Sequence, residues 1–118
     1  MSKVHINDYK RITSPYIEET GVRQLIRRRR RQILIHSCIY YRLGTSIITD
    51  KQFDEWAREL MDLQNSYPQI SKSLEFYDDF KDWDATTGFN LPSIGDPRIV
   101  GIATSLVKSK KTFTATKV

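Results

Sequence analysis

The chain has 118 residues, of which 39% are hydrophobic and 28% charged, and carries a formal net charge of +5. That length suits one domain with a modest core, and no window approaches the roughly 20 apolar residues of a bilayer span. The lone Cys38 excludes an internal disulfide or a cysteine-rich zinc site, and the opening MSKVHINDYK has no apolar secretory core, so a cytoplasmic protein is expected.

Charge is unevenly laid out. Residues 1–49 hold ten Lys/Arg against Asp8, Glu18 and Glu19, residues 50–96 are strongly acidic, and residues 97–118 hold five bases and no acid. Such a basic–acidic–basic order fits attraction between segments of one chain, with an external polyanion as the other reading.

Residues 1–15 show no sustained period and are read as a polar N-terminal arm. From Tyr16 the pattern is helical: Val22, Leu25, Ile26, Arg29, Ile33, His36, Tyr40 and Leu43 recur at steps of three and four, predicting one long helix that Gly44 closes. Thr49-Asp50-Lys51-Gln52 is a capping box, and Phe53, Trp56, Ala57, Leu60, Leu63 and Tyr67 form the apolar face of a second helix that Pro68 stops. The short connection Gly44–Ile48 makes the two an antiparallel hairpin. Leu74, Tyr77, Phe80 and Trp83 suggest a short acidic, aromatic helix, and Asp84–Pro92 a turn-rich loop. Asp96-Pro97 starts a last helix with Ile99, Val100, Ala103, Leu106 and Val107 on its buried face, followed from Lys108 to Val118 by a basic tail. The expected fold is all-α: a hairpin with a long first helix and two shorter helices packed on it, forming a single domain over 16–107.

One constellation carries chemistry. His36 and Tyr40 lie one turn apart, as do Asp50 and Asp54, and a hairpin brings the end of the first helix to the start of the second. Tyr40, Tyr41 and Phe53 then face two carboxylates across a pocket mouth. Aromatic faces suit a cationic ring, and carboxylates accept hydrogen bonds from ribose hydroxyls. The plainer reading makes Tyr40 and Phe53 core residues and Asp50 a partner of the helix dipole.

The run His36-Ser37-Cys38-Ile39-Tyr40-Tyr41-Arg42-Leu43, then Thr49–Asp54, Arg58-Glu59-Leu60, Leu63 and Tyr67-Pro68, resembles the N-terminal NMN-binding (Ia) domain of bacterial NAD-dependent DNA ligases over residues 22–70. The resemblance implies that Tyr40, Tyr41, Asp50, Phe53 and Asp54, with His36 beside them, line a site for the nicotinamide mononucleotide half of NAD. Phe53 stands where the family has Tyr, Gly44 where it usually has Asp, and the connecting-loop Pro is missing. Ligation also needs an adenylated lysine in a Lys-x-Asp-Gly setting, and the sequence contains no Asp-Gly. A non-catalytic binder of NAD or NMN, without a metal, is therefore implied. The chain is also similar to short phage-encoded proteins that add an acidic aromatic stretch and a loop like Thr87-Gly88-Phe89-Asn90-Leu91-Pro92.

Two alternatives stay open. One is a phage protein-interaction or anti-defence factor that engages a host protein and keeps a vestigial nucleotide site. The other is a nucleic-acid accessory using Arg27, Arg28, Arg30 and Arg31. Five consecutive arginines sweep about 400° around a helix, so they cannot share one face. Arg29 is expected nearest the packed side, and the rest to pair with Glu55, Glu59, Asp62 or the Asp78, Asp79, Asp82 group.

Overall fold

The computed structural model describes the backbone of residues 15–117 and the side chains of residues 19–110. The arm expected over residues 1–14 lies outside the described residues. Those described form five α-helices and a 3-10 turn, with no strand: α1 (Pro15–Tyr41), α2 (Asp50–Ser66), α3 (Pro68–Lys72), α4 (Tyr77–Phe80), the turn Pro92–Gly95 and α5 (Pro97–Lys117).

Helix α1 is the spine, with α2 and α5 packed against it. Its pairings with α2 run in opposite directions, Arg30 meeting Gln64 while His36 meets Trp56, which makes the expected hairpin antiparallel. The core joins Val22, Ile26, Ile33, Leu34, Cys38 and Ile39 of α1 to Ala57, Leu60 and Leu63 of α2, Phe80 and Trp83, and Leu91, Ile94, Ile99 and Ala103. Burying a large aliphatic or aromatic side chain contributes about 1.5–3 kcal/mol, so this shared cluster is the main source of cohesion.

The ends of the helices follow local chemistry. Thr49 caps α2, its side-chain oxygen accepting the Gln52 N–H at 3.0 Å. Gly44, at φ +72°, supplies the left-handed residue that turns the chain out of α1. Asp96 Oδ1 accepts the Arg98 N–H at 2.8 Å at the start of α5. That helix continues through Lys108 to Lys117, the stretch the sequence reading assigned to a tail.

Three expectations are corrected. Pro68 does not simply stop α2: Tyr67 ends that helix and Pro68 opens α3, where its missing N–H is harmless. Leu43 lies beyond the end of α1 and is exposed, as is Leu106 on α5. Arg30, not Arg29, is the arginine in the core, with 0% exposure. Its guanidinium donates to Gln64 Oε1 at 2.9 Å, Ser71 O at 3.1 Å, Ser71 Oγ at 2.7 Å, Leu74 O at 3.3 Å and Glu75 O at 2.9 Å. Burial pulls its pKa down to about 10, which leaves it charged at neutral pH. A planar fork of five donors is the one side chain able to satisfy so many acceptors at once.

The acidic middle of the chain ties the basic ends together. Glu75 accepts from Arg98 at 2.8 Å and Arg31 at 3.4 Å, and the Arg98 hydrogen bond holds its carboxyl below the usual range. Asp79 receives the Ser93 N–H and hydroxyl, each at 2.8 Å, fixing the 3-10 turn on α4. The uneven charge layout thus has an intramolecular use.

Candidate functional site

Where α1 ends and α2 begins, a cleft of about 330 Å³ opens, lined by His36, Tyr40, Tyr41, Ser46, Ile48, Thr49, Asp50, Phe53, Asp54, Thr86, Thr87 and Gly88. All six residues singled out in the sequence, His36, Tyr40, Tyr41, Asp50, Phe53 and Asp54, line this one space. Each arrives there for a local reason. The capped first turn of α2 directs Asp50 and Asp54 to one side. The last turn of α1 offers Tyr40 and Tyr41, and the Gly44 turn returns the chain past both.

Tyr40 is a rim residue, 59% exposed, and not part of the core as the plainer reading had it. It meets Tyr41 edge-on, with centroids 4.8 Å apart at 86°. Tyr41 in turn meets Phe89 at 5.3 Å and 66°. Phe53 is half-buried at the cleft wall and packs against the core. His36 is half-buried and tilted against Trp56 at 5.5 Å. Its Nδ1 is buried with no hydrogen-bond partner among the described residues, and desolvation depresses its pKa. A neutral imidazole is the consequence at physiological pH.

The third side of the cleft comes from Thr86, Thr87 and Gly88, which the sequence reading placed in a loop but not at the site. Thr87 Oγ1 lies 2.6 Å from Tyr41 Oη and accepts the Phe89 N–H at 3.1 Å. Trp83 Nε1 donates to Thr87 O at 2.6 Å. Thr86 is held by Asp84 Oδ1 through its N–H at 3.0 Å and its hydroxyl at 2.7 Å, which keeps that carboxyl acidic. Gly88 is buried against Ser37 of α1: a Cβ there would overlap Ser37 Oγ and come within 2.5 Å of its Cβ. The glycine between Thr87 and Phe89 is the sequence feature that permits so close an approach.

The cleft therefore offers aromatic edges and faces, two carboxylates and several hydroxyls, with no lysine among its lining residues. Such a set suits a positively charged aromatic ligand bearing hydroxyls. Cys38 lies in the core, where burial raises its thiol pKa and keeps it protonated. Among the described residues no group of three or more His, Cys, Asp or Glu is placed to hold a metal ion, and no helix is long and apolar enough to cross a membrane.

Residues 19–73 match the family profile described as the DNA ligase-like, N-terminal NAD+-binding domain. The α1–α3 segment is ligase Ia-like. Comparison with curated proteins and with solved structures gives no significant match. The Ia-like segment holds every cleft residue from His36 to Asp54, whereas Thr86, Thr87 and Gly88 lie beyond it.

The arginine run divides by environment. Arg29 pairs with Glu59 at 3.0 Å and sits over the Trp56 ring at 5.8 Å. Arg31 pairs with Glu75, an acid outside the set expected from sequence. Arg27 and Arg28 are exposed. Arg30, assigned from sequence to polyanion contact with Arg27, Arg28 and Arg31, is enclosed and fully engaged, so it cannot reach a phosphate.

Proposed function

We propose that the cleft takes the nicotinamide mononucleotide moiety, as NMN or as half of NAD, and that the chain acts as a non-catalytic, phage-type nicotinamide-nucleotide-binding module. The observation that carries this reading is the convergence of Tyr40, Tyr41, Asp50, Phe53 and Asp54 on one cleft inside a segment that matches an NAD+-binding domain family. The tyrosines and Phe53 pack the pyridinium ring, and Asp50 and Asp54 accept from the ribose hydroxyls and offset the ring's charge. A neutral His36 adds a wall that does not repel a cation. The residues described supply binding and orientation, with no adenylating lysine at the cleft.

Titrating NMN while following Trp56 fluorescence tests this, since Trp56 lies against the cleft wall through His36. A saturable change is expected, lost in Asp50→Ala and in Asp54→Ala with helicity unchanged. A silent titration at millimolar NMN with the chain folded contradicts it.

A second reading rests on the aromatic rim. Phe89 and Tyr40 are 64% and 59% exposed and are joined through Tyr41. Exposed aromatics grouped in this way fit a protein partner, such as a host protein engaged by a phage factor. A complex that survives Asp50→Ala and Asp54→Ala but is lost in Phe89→Ala distinguishes this reading from the first.

A further inference from the structure

The segment matching the ligase-like family ends at residue 73, yet the cleft does not. We infer that the Trp83–Phe89 loop is a working wall of the nucleotide site, with Thr87 as a positioning residue that acts through Tyr41; this rests on the reading of the cleft as an NMN site.

Tyr41 occupies the last turn of α1 and is 41% exposed, and the neighbour its own helix gives the ring is Tyr40, itself 59% exposed. The hydrogen-bonded restraint comes from the loop. Thr87 Oγ1 fixes the phenolic oxygen at 2.6 Å, and the edge of Phe89 closes one flank while Tyr40 closes the other. Because Thr87 Oγ1 already accepts the Phe89 N–H, whichever oxygen donates in the Tyr41–Thr87 bond leaves Tyr41 Oη with hydrogen-bonding capacity to spare.

The loop is anchored firmly enough to impose that order. Trp83 is buried edge-on against Phe80 at 5.1 Å and donates to Thr87 O. Asp84 closes the turn around Thr86, and the Gly88 backbone rests on Ser37 in the interior of α1. Two attachments, to α4 and to α1, and the internal hydrogen bonds of Trp83 and Asp84 hold a loop of seven residues. A ring fixed before the ligand arrives need not be ordered on binding, and that saving corresponds to roughly 3- to 10-fold in affinity. The loop also shields one side of the cleft that the two-helix segment alone leaves open.

The test uses the full chain and NMN, with binding read by titration calorimetry and folding by thermal melting. Thr87→Val should weaken NMN binding by roughly 3- to 10-fold, and Thr87→Ser, which keeps the hydroxyl, should restore it. Tyr41→Phe combined with Thr87→Val should bind no more weakly than the worse single variant, because both break the same bond. Phe89→Ala removes an exposed ring with little risk to the fold and should reproduce part of the loss. Parent-like affinity in both Thr87→Val and Phe89→Ala overturns the inference, as do additive losses in the double variant. If the parent chain itself does not bind NMN, the nucleotide reading fails and the inference with it, a result distinguishable because the failure is then in the parent.

Discussion

The guanidinium of Arg30 and the hydroxyl of Ser71 lie 2.7 Å apart inside the molecule, both buried. This bond, with the four others Arg30 makes, splices the middle of α1 to α3 and to the carbonyls of Leu74 and Glu75. Arg30 also stands over the Phe80 ring at 5.8 Å. It is a structural side chain in the middle of what looks, in sequence, like a surface charge run.

Arg30→Ala should therefore destabilise the fold by about 2–4 kcal/mol, since it leaves several buried acceptors unpaired and a cavity beside Phe80. Arg30→Lys should recover little, because an ammonium cannot fork between Gln64, Ser71 and Glu75. Arg27→Gln and Arg28→Gln, at exposed positions, should stay within about 0.5 kcal/mol of the parent. Urea denaturation followed by circular dichroism separates these outcomes.

His36 gives the molecule a pH signature. Its folded pKa is depressed by desolvation, so between that value and the ordinary 6.5 the unfolded chain binds more protons than the folded one. The associated stability is complete above 6.5 and is lost as pH falls through the folded pKa. Binding of a cationic ring should weaken as pH falls through the folded pKa and below it, where the imidazolium forms in the folded chain and repels the ring. His36→Gln should flatten this contribution to both curves, checked by melting and NMN titration between pH 5 and pH 8.

Phe53→Tyr adds the hydroxyl that the resemblance to the ligase domains implies at this position. Phe53 lines the cleft and is half-buried, so a new hydroxyl that meets a ligand group should tighten NMN binding by about 1 kcal/mol, roughly fivefold. Calorimetric titration of the variant against the parent measures it, and an unchanged affinity would mean that no ligand atom lies opposite that ring.

Gly88→Ala forces a methyl group onto Ser37, whose Cβ is fixed in a helix interior. The loop must shift or the helix must bend, at a cost of about 1–3 kcal/mol. NMN binding should fall at the same time, since Thr86 and Thr87 move with Gly88. Thermal melting and titration of the same sample read the two effects together.

Much of this was legible in the residues. The Thr49 box located the start of α2, the apolar steps of both helices implied the hairpin, and the resemblance carried by the residues from His36 to Asp54, more than their spacing, pointed to side chains that line one cleft. What the sequence hid was tertiary in origin. The buried row on α1 runs Val22, Ile26, Arg30, Ile33 and Ser37, but an arginine at its centre makes the pattern appear to pass through Arg29 instead. Its acceptors at Ser71, Leu74 and Glu75 lie more than forty residues away and cannot be read from spacing. Likewise the third wall of the cleft depends on Gly88 packing against Ser37 and on left-handed backbone at Phe76 and Ala85, two residues whose side chains do not announce it.

The most direct test of the nucleotide site is to add NMN to the isotopically labelled chain and map amide shifts by NMR. Saturable shifts clustered on Tyr41, Asp50, Phe53, Asp54, Thr87 and Gly88, and absent in Asp50→Ala, are predicted. A folded chain whose spectrum stays unmoved at millimolar NMN, or one whose shifts gather around Arg27 and Arg28 at the other stretch of α1, would contradict the account.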